Sequence, residues 1–105
     1  MSPHLVELLR HPWTAEDFTD AKMMRLKVCQ QLSRLMQDFD LLLTPTVAVP
    51  PFALYTQGPE MIEGRMVAST AWLAFTFPLN MSGQPAISVP AGFTSSGLPV
   101  GMQIV

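Results

Sequence analysis

The sequence predicts an α/β unit in which a long amphipathic helix precedes a short strand, a further helix and a closing two-strand block. Three observations carry that expectation. Apolar residues Phe18, Ala21, Met24, Val28, Leu32, Leu35, Met36 and Phe39 recur at steps of three and four, the spacing of one helix face. Three consecutive leucines, 41–43, stand between Asp40 and Pro45, the pattern of a strand covered on both faces in a parallel or mixed sheet. Near the end, two apolar runs flank the turn-forming Thr94-Ser95-Ser96-Gly97.

Ser2 followed by Pro3 is a helix start, a side-chain oxygen as cap and then a ring whose fixed φ suits the first turn. A short helix over Pro3–Arg10 is expected to stop before Pro12. Thr14 opens the long helix, about 15–38, with Asp17 three residues on in a variant of the capping box. Glu16 and Asp17 also favour the positive end of the helix dipole, and Lys22, Arg25, Arg34 and Gln37 fall between the apolar positions. Beyond the leucines, Pro45, Pro50 and Pro51 argue against regular pairing, so an irregular excursion is expected to about Met61. A helix over 65–75, with Val67, Ala71, Trp72 and Phe75 inward, is expected to end at Phe77-Pro78. Ala86-Ile87-Ser88-Val89 reads as a strand bounded by Pro85 and Pro90, and 99–105 as its partner. The whole chain, 1–105, is expected to be one partial domain, helical over 1–38 and strand, loop, helix and hairpin over 39–105.

Charge is unevenly spread. The 6 Lys and Arg and 8 Asp and Glu all lie at or before Arg65, leaving residues 66–105 without a charged side chain. A soluble surface is about a quarter charged or more, so this run is expected to be interior or interface material. The chain also stops at Gln103-Ile104-Val105, inside an apolar strand pattern, which leads us to expect a fragment of a larger domain. The net charge of −2 gives no basic footprint for nucleic acid. No membrane span is expected, because Thr76, Pro78, Asn80, Ser82, Gly83, Gln84 and Pro85 interrupt the apolar run short of the roughly 18 residues one needs. Glu7 and Arg10 argue against a secretory signal, and the single Cys29 cannot form an internal disulfide, which favours a reducing, cytoplasmic setting. Cys29 itself reads as a small core side chain.

Three ordered blocks carry a family resemblance. Asp40-Leu41-Leu42-Leu43-Thr44-Pro45 resembles the YD-LLLTPT element of amidase-signature enzymes, with Phe39 where tyrosine is common. The block from Phe77 through Asn80-Met81-Ser82-Gly83-Gln84-Pro85-Ala86-Ile87-Ser88-Val89-Pro90-Ala91-Gly92 resembles that family's FN-x-(S/T)-G-x-PA-(I/L)-S-(V/L)-P-x-G block. Gly97-Leu98-Pro99-Val100-Gly101-Met102-Gln103-Ile104-Val105 is similar to its GLP-x-G-(V/L)-Q strand, and Trp72 stands upstream as it often does in the family. The match covers about 14–105 and falls in the C-terminal part of the family fold. It implies part of an α/β/α fold with a large mixed sheet. It also implies hydrolysis of linear amides, in which a nucleophilic serine passes its proton through a second serine to a lysine base. In the family those three residues belong to an N-terminal lysine segment and a glycine- and serine-rich loop, and neither occurs here. No catalytic residue, metal ligand or cofactor is therefore assigned to this chain.

The resemblance marks Pro45, Trp72, Pro85, Pro90, Gly92 and Gly101 as structural positions. Asn80, Ser82, Gly83 and Gln84 read as a tight polar connection into a strand, where Gly83 permits close backbone approach; by family analogy the same residues line the substrate channel. Trp72, Phe75 and Phe77 read as core and alternatively as an apolar acyl pocket. Ser95-Ser96-Gly97 imitates a nucleophile loop but sits between two strands, so a hairpin turn is expected. His4 with His11 lack the third and fourth ligands of a metal site and read as exposed histidines, while Asp38 and Asp40, an imaginable carboxylate pair, read as a helix-end polar residue and a strand-entry residue. Two alternatives to an incomplete amidase remain at this level: a non-catalytic interaction module that covers its apolar tail by self-association, and one half of a split amidase completed by a separate N-terminal chain. In every amidase reading the partner is a small-molecule amide, met through the complete parent enzyme.

Overall fold

The computed structural model describes residues 3–105, with side chains from Val6 onward; the Ser2 cap and the His4 side chain lie outside the described residues. Helix α1 spans Pro3–Arg10 and helix α2 spans Ala15–Leu35. Between them Thr14 closes a capping box: its Oγ1 accepts from the Asp17 N–H at 3.1 Å, while Asp17 Oδ2 accepts from the Thr14 N–H at 2.8 Å and from its hydroxyl at 2.7 Å. Those two bonds from Thr14, side chain first and backbone second, hold the Asp17 carboxyl below its usual pKa. α2 ends earlier than the periodicity suggested, with Met36 as its C-cap.

Strand β1 is Leu43–Pro45, β4 is Ile87–Phe93 and β5 is Pro99–Ile104, and they form one sheet in the order β1-β5-β4. Both pairings are antiparallel, with Thr44 and Ser88 opposite Gln103 on either side. Two prolines expected to bar or end a strand lie inside one. The Leu42 and Val105 backbones exchange both hydrogen bonds, and Thr46 N–H donates to Gly101 O at 3.0 Å. By the antiparallel alternation, the intervening Pro45–Met102 pair falls at a position without ladder bonds, where the missing N–H would point away from β5. The same alternation places Pro90, opposite Gly101, with its nitrogen outward on β4. β4 then continues through a register shift between Pro90 and Gly92, where Gly92 sits at φ 119°.

The helix expected over 65–75 does not form. Residues Met61–Ile62 (β2) and Arg65–Met66 (β3) make a small antiparallel hairpin. Its two-residue loop, Glu63-Gly64, has φ of 49° and 75°, the positive pair that a tight hairpin loop of the I′ kind requires. A single 3-10 turn, Ala71–Leu73, follows, and helix α3 runs Phe77–Ser82. Pro78, read as a terminator, instead occupies the first turn of α3, where its absent N–H leaves nothing unpaired.

Side-chain parity divides the sheet. Leu42, Thr44, Gln103 and Val105 face Leu32 of α2 and Pro78 and Leu79 of α3. The centre of this layer holds the two buried residues among those described, Leu79 at 7% exposure and Gln103 at 5%. Gln103 Nε2 donates to Thr44 Oγ1 at 3.1 Å and to Phe75 O at 3.0 Å. The opposite face presents Leu43, Ile87, Met102 and Ile104, with Leu43 56% and Ile87 61% exposed. The leucine strand is thus covered by this chain on one face only, which corrects the expectation of two. Among the described residues no helix is long and apolar enough to cross a membrane.

Two outcomes follow from these contacts. Gln103→Leu strips the Phe75 carbonyl of its donor and is expected to lower stability by about 1–3 kcal/mol, read from the urea midpoint. Thr14→Ala is expected to fray the start of α2, seen as lost far-UV helical signal. Because the folded-state pKa of Asp17 is depressed, the capping contribution is complete above the ordinary carboxylate range and fades as pH falls through the lower folded value.

Candidate functional site

The expected channel residues gather at the C-terminal end of α3. Asn80 is exposed on its last turn, its N–H donating to Thr76 O at 3.1 Å. Ser82 Oγ donates to Leu79 O at 3.2 Å and accepts from the Gln84 N–H at 3.4 Å. Gly83 is the C-cap at φ 74°, with its N–H bonded to Leu79 O at 2.9 Å. A Cβ there would meet nothing within 4 Å, so this glycine is required by its left-handed backbone rather than by close approach. Gln84 Oε1 is buried and has no hydrogen-bond donor among the described residues. A buried, unpaired acceptor of this kind is uncommon in folded proteins and asks for a partner.

This helix end is fixed from α2. Arg25 Nε donates to Met81 O at 2.7 Å, and Cys29 Sγ lies 3.6 Å from the same oxygen. A cationic side chain on a terminal carbonyl suits the negative end of a helix. Half-buried Val28, Cys29 and Leu32, with Met36 at the C-cap, mark the inward stripe of α2, whereas Phe18 and Met24 farther up the same helix are exposed.

Trp72 lies on a second feature. Its Nε1 donates to Gln57 O at 3.1 Å, its carbonyl accepts from the Ala48 N–H at 2.9 Å, and its ring meets Phe52 edge-on at 5.3 Å between centroids. Gly58, at φ 148°, packs beneath the indole; a Cβ there would stand 2.6 Å from Trp72 Cδ1 and 2.4 Å from Ser69 O. Around this clamped ring, Val47, Pro50, Phe52, Pro99 and Val100 help to bound a concavity of about 340 Å³. Gly101 forms part of the same wall. The Thr46 and Ser88 hydroxyls share a 2.7 Å hydrogen bond above it, and each lies 2.8 Å from where its Cβ would be.

Other residues singled out in the sequence fall elsewhere. Thr94-Ser95-Ser96-Gly97 is the β4–β5 turn, with Gly97 N–H bonded to Thr94 O and the Thr94 hydroxyl accepting from the Leu98 N–H at 3.0 Å. Pro85 is exposed just before β4. His11 stacks edge-on against Trp13 at 4.5 Å, and Asp38 and Asp40 are exposed after α2. Among the described residues no three His, Cys, Asp or Glu side chains gather as a metal site would need. Sequence reasoning placed Gln103 only in the last strand and Phe52 only in an irregular excursion, and gave neither a role in a site. The signal for the first was present, a lone amide between Met102 and Ile104.

The profile of the family described as Amidase matches residues 5–105. The chain belongs to the amidase family. An acylamidase of Rhodococcus erythropolis is 38% identical over 105 residues, covering 96% of this chain and 22% of that protein. A fatty acid amide hydrolase of Medicago truncatula is 32% identical over 99 residues, covering 89% of this chain and 15% of that protein. The crystal structure of a bacterial aryl acylamidase of the amidase-signature enzymes superposes with a TM-score of 0.86 at 30% identity, covering 99% of this chain and 22% of that one. The chain therefore spans about a fifth or less of the length of these curated relatives.

Gly58→Ala is expected to displace the indole and destabilise the fold by about 3 kcal/mol, with a shift in tryptophan emission read in the same thermal melt.

Proposed function

We propose that this chain is the scaffold portion of a hydrolase of linear amide bonds, and that it forms one wall of the substrate channel with Asn80, Ser82, Gly83 and Gln84. The channel assignment follows the family analogy of this turn, and the observation beside it is Gln84 Oε1, an acceptor with no donor among the described residues. In the family's mechanism the nucleophilic serine, the relaying serine and the lysine base lie outside the segment that this chain matches. Its two lysines, Lys22 and Lys27, are exposed on α2, and its adjacent serines belong to the β4–β5 turn. The chain's contribution is then positional: a sheet backed by α2 and α3, and a capped helix end that presents its polar turn to the substrate.

The uncovered sheet face supports the companion reading that the remainder of an amidase fold packs on Leu43, Ile87, Met102 and Ile104. The setting is read as cytoplasmic, from the lone cysteine.

The chain alone is expected to leave acetanilide and hexanamide unhydrolysed, with Ser95→Ala and Ser96→Ala changing nothing. Joined to, or co-expressed with, an amidase segment bearing the lysine and serine-rich loop, it is expected to restore turnover. In that active form Gln84→Leu is expected to raise KM for a primary amide about tenfold, the loss of roughly 1.4 kcal/mol. Hydrolysis by the chain alone that depends on Ser95 or Ser96 would overturn the proposal, as would an unchanged KM for the channel assignment.

A further inference from the structure

We propose that the concavity beside Trp72 is a binding subsite for an uncharged aromatic ring. A closed cavity of about 150 Å³ suffices for benzene. The 340 Å³ here leaves room for a ring and a short substituent, within the range of small-molecule sites. Its wall is aliphatic and aromatic: Val47, Pro50, Phe52, Trp72, Pro99 and Val100. An edge-to-face partner gains most from an aromatic wall already held in place. Trp72 is held by the Gln57 carbonyl at its Nε1, by the Ala48 amide at its backbone, by Phe52 at its edge and by Gly58 beneath it. Little side-chain freedom is left for a ligand to remove.

Among the described residues, the only side-chain hydrogen-bonding group on the wall is the Trp72 indole N–H, which is already bonded to Gln57 O. No charged residue contributes to the wall, so an ionised substituent would be desolvated without a counter-charge. The subsite therefore selects neutral arenes. Only the identity of the attached group, an amide, rests on the function proposed above; the ring preference stands on the cavity itself.

The test uses Trp13→Phe, which leaves Trp72 as the sole emitter of the two tryptophans. Acetanilide, toluene and anionic 4-acetamidobenzoate are each titrated. Saturable changes in emission are expected for the two neutral probes, with the anion at least tenfold weaker. Amide NMR shifts in the unsubstituted chain are expected at Val47, Ala48, Val49, Phe52, Val100 and Gly101. Val100→Phe and Ala48→Leu, which fill the concavity, are expected to abolish saturation while the far-UV spectrum is kept. Absence of saturation with both neutral probes overturns the inference. So does equal affinity for the anion, or shifts confined to residues 8–18. Ring binding without restored hydrolysis in the completed enzyme would defeat the amide reading and leave the subsite; restored hydrolysis without ring binding would do the reverse.

Discussion

The carboxamide of Gln103 ties the two layers of this chain together. It sits on the central strand, opposite Thr44 on one neighbour and Ser88 on the other, and both hydrogens of its amide are directed into the packed face. One goes to Thr44 within the sheet and the other to the Phe75 carbonyl, just beyond the 3-10 turn and ahead of α3. Phe75 O lies where the chain is between helical turns, and an unsatisfied carbonyl there would carry a desolvation penalty of about 1–3 kcal/mol. With so little else buried, Leu79 being the neighbouring apolar member, this hydrogen-bonded amide fixes where α3 lands on the sheet. The position of α3 in turn sets the polar turn Ser82-Gly83-Gln84, which Arg25 and Cys29 hold from the other helix.

Much of the architecture was legible from residue spacing and chemistry. The three- and four-residue steps gave α2, Thr14 and Asp17 marked its start, and Thr94-Ser95-Ser96-Gly97 marked the last turn. What escaped was governed by where an element sits in the sheet. A proline bars a central strand, but β1 and β4 are outer strands, and Pro45 and Pro90 point their nitrogens away from β5; no local pattern states which strand is outermost. Pro78 was ambiguous in the same way, since the ring that ends one helix can begin another. Over 65–75 the apolar spacing resembled a helix, but Glu63-Gly64 just ahead of it forms a tight turn that pairs Arg65 and Met66 back onto Met61 and Ile62. The candidate channel residues were named from the sequence, but the unpaired Gln84 oxygen depends on the burial of a single atom, which spacing does not encode.

The absence of charge from 66–105 has a counterpart in three dimensions. The tail folds into α3, β4 and β5, and the two strands present apolar side chains on the face away from the helices. In an α/β/α arrangement both faces are covered, and here the helices lie on one. The charged residues instead line α1, α2 and the small hairpin, so polarity is partitioned by layer. The chain belongs to the amidase family and spans about one-fifth of the length of its acylamidase relative.

The two outward-facing prolines bear on how such a sheet behaves when its rims are open. An added strand hydrogen-bonds along a continuous row of donors and acceptors, and Pro45 and Pro90 each delete one donor from the row it would read. The bulge at Gly92 twists the far rim further out of register. Copies of this chain, apolar on one face, are thereby discouraged from stacking edge to edge into fibrils.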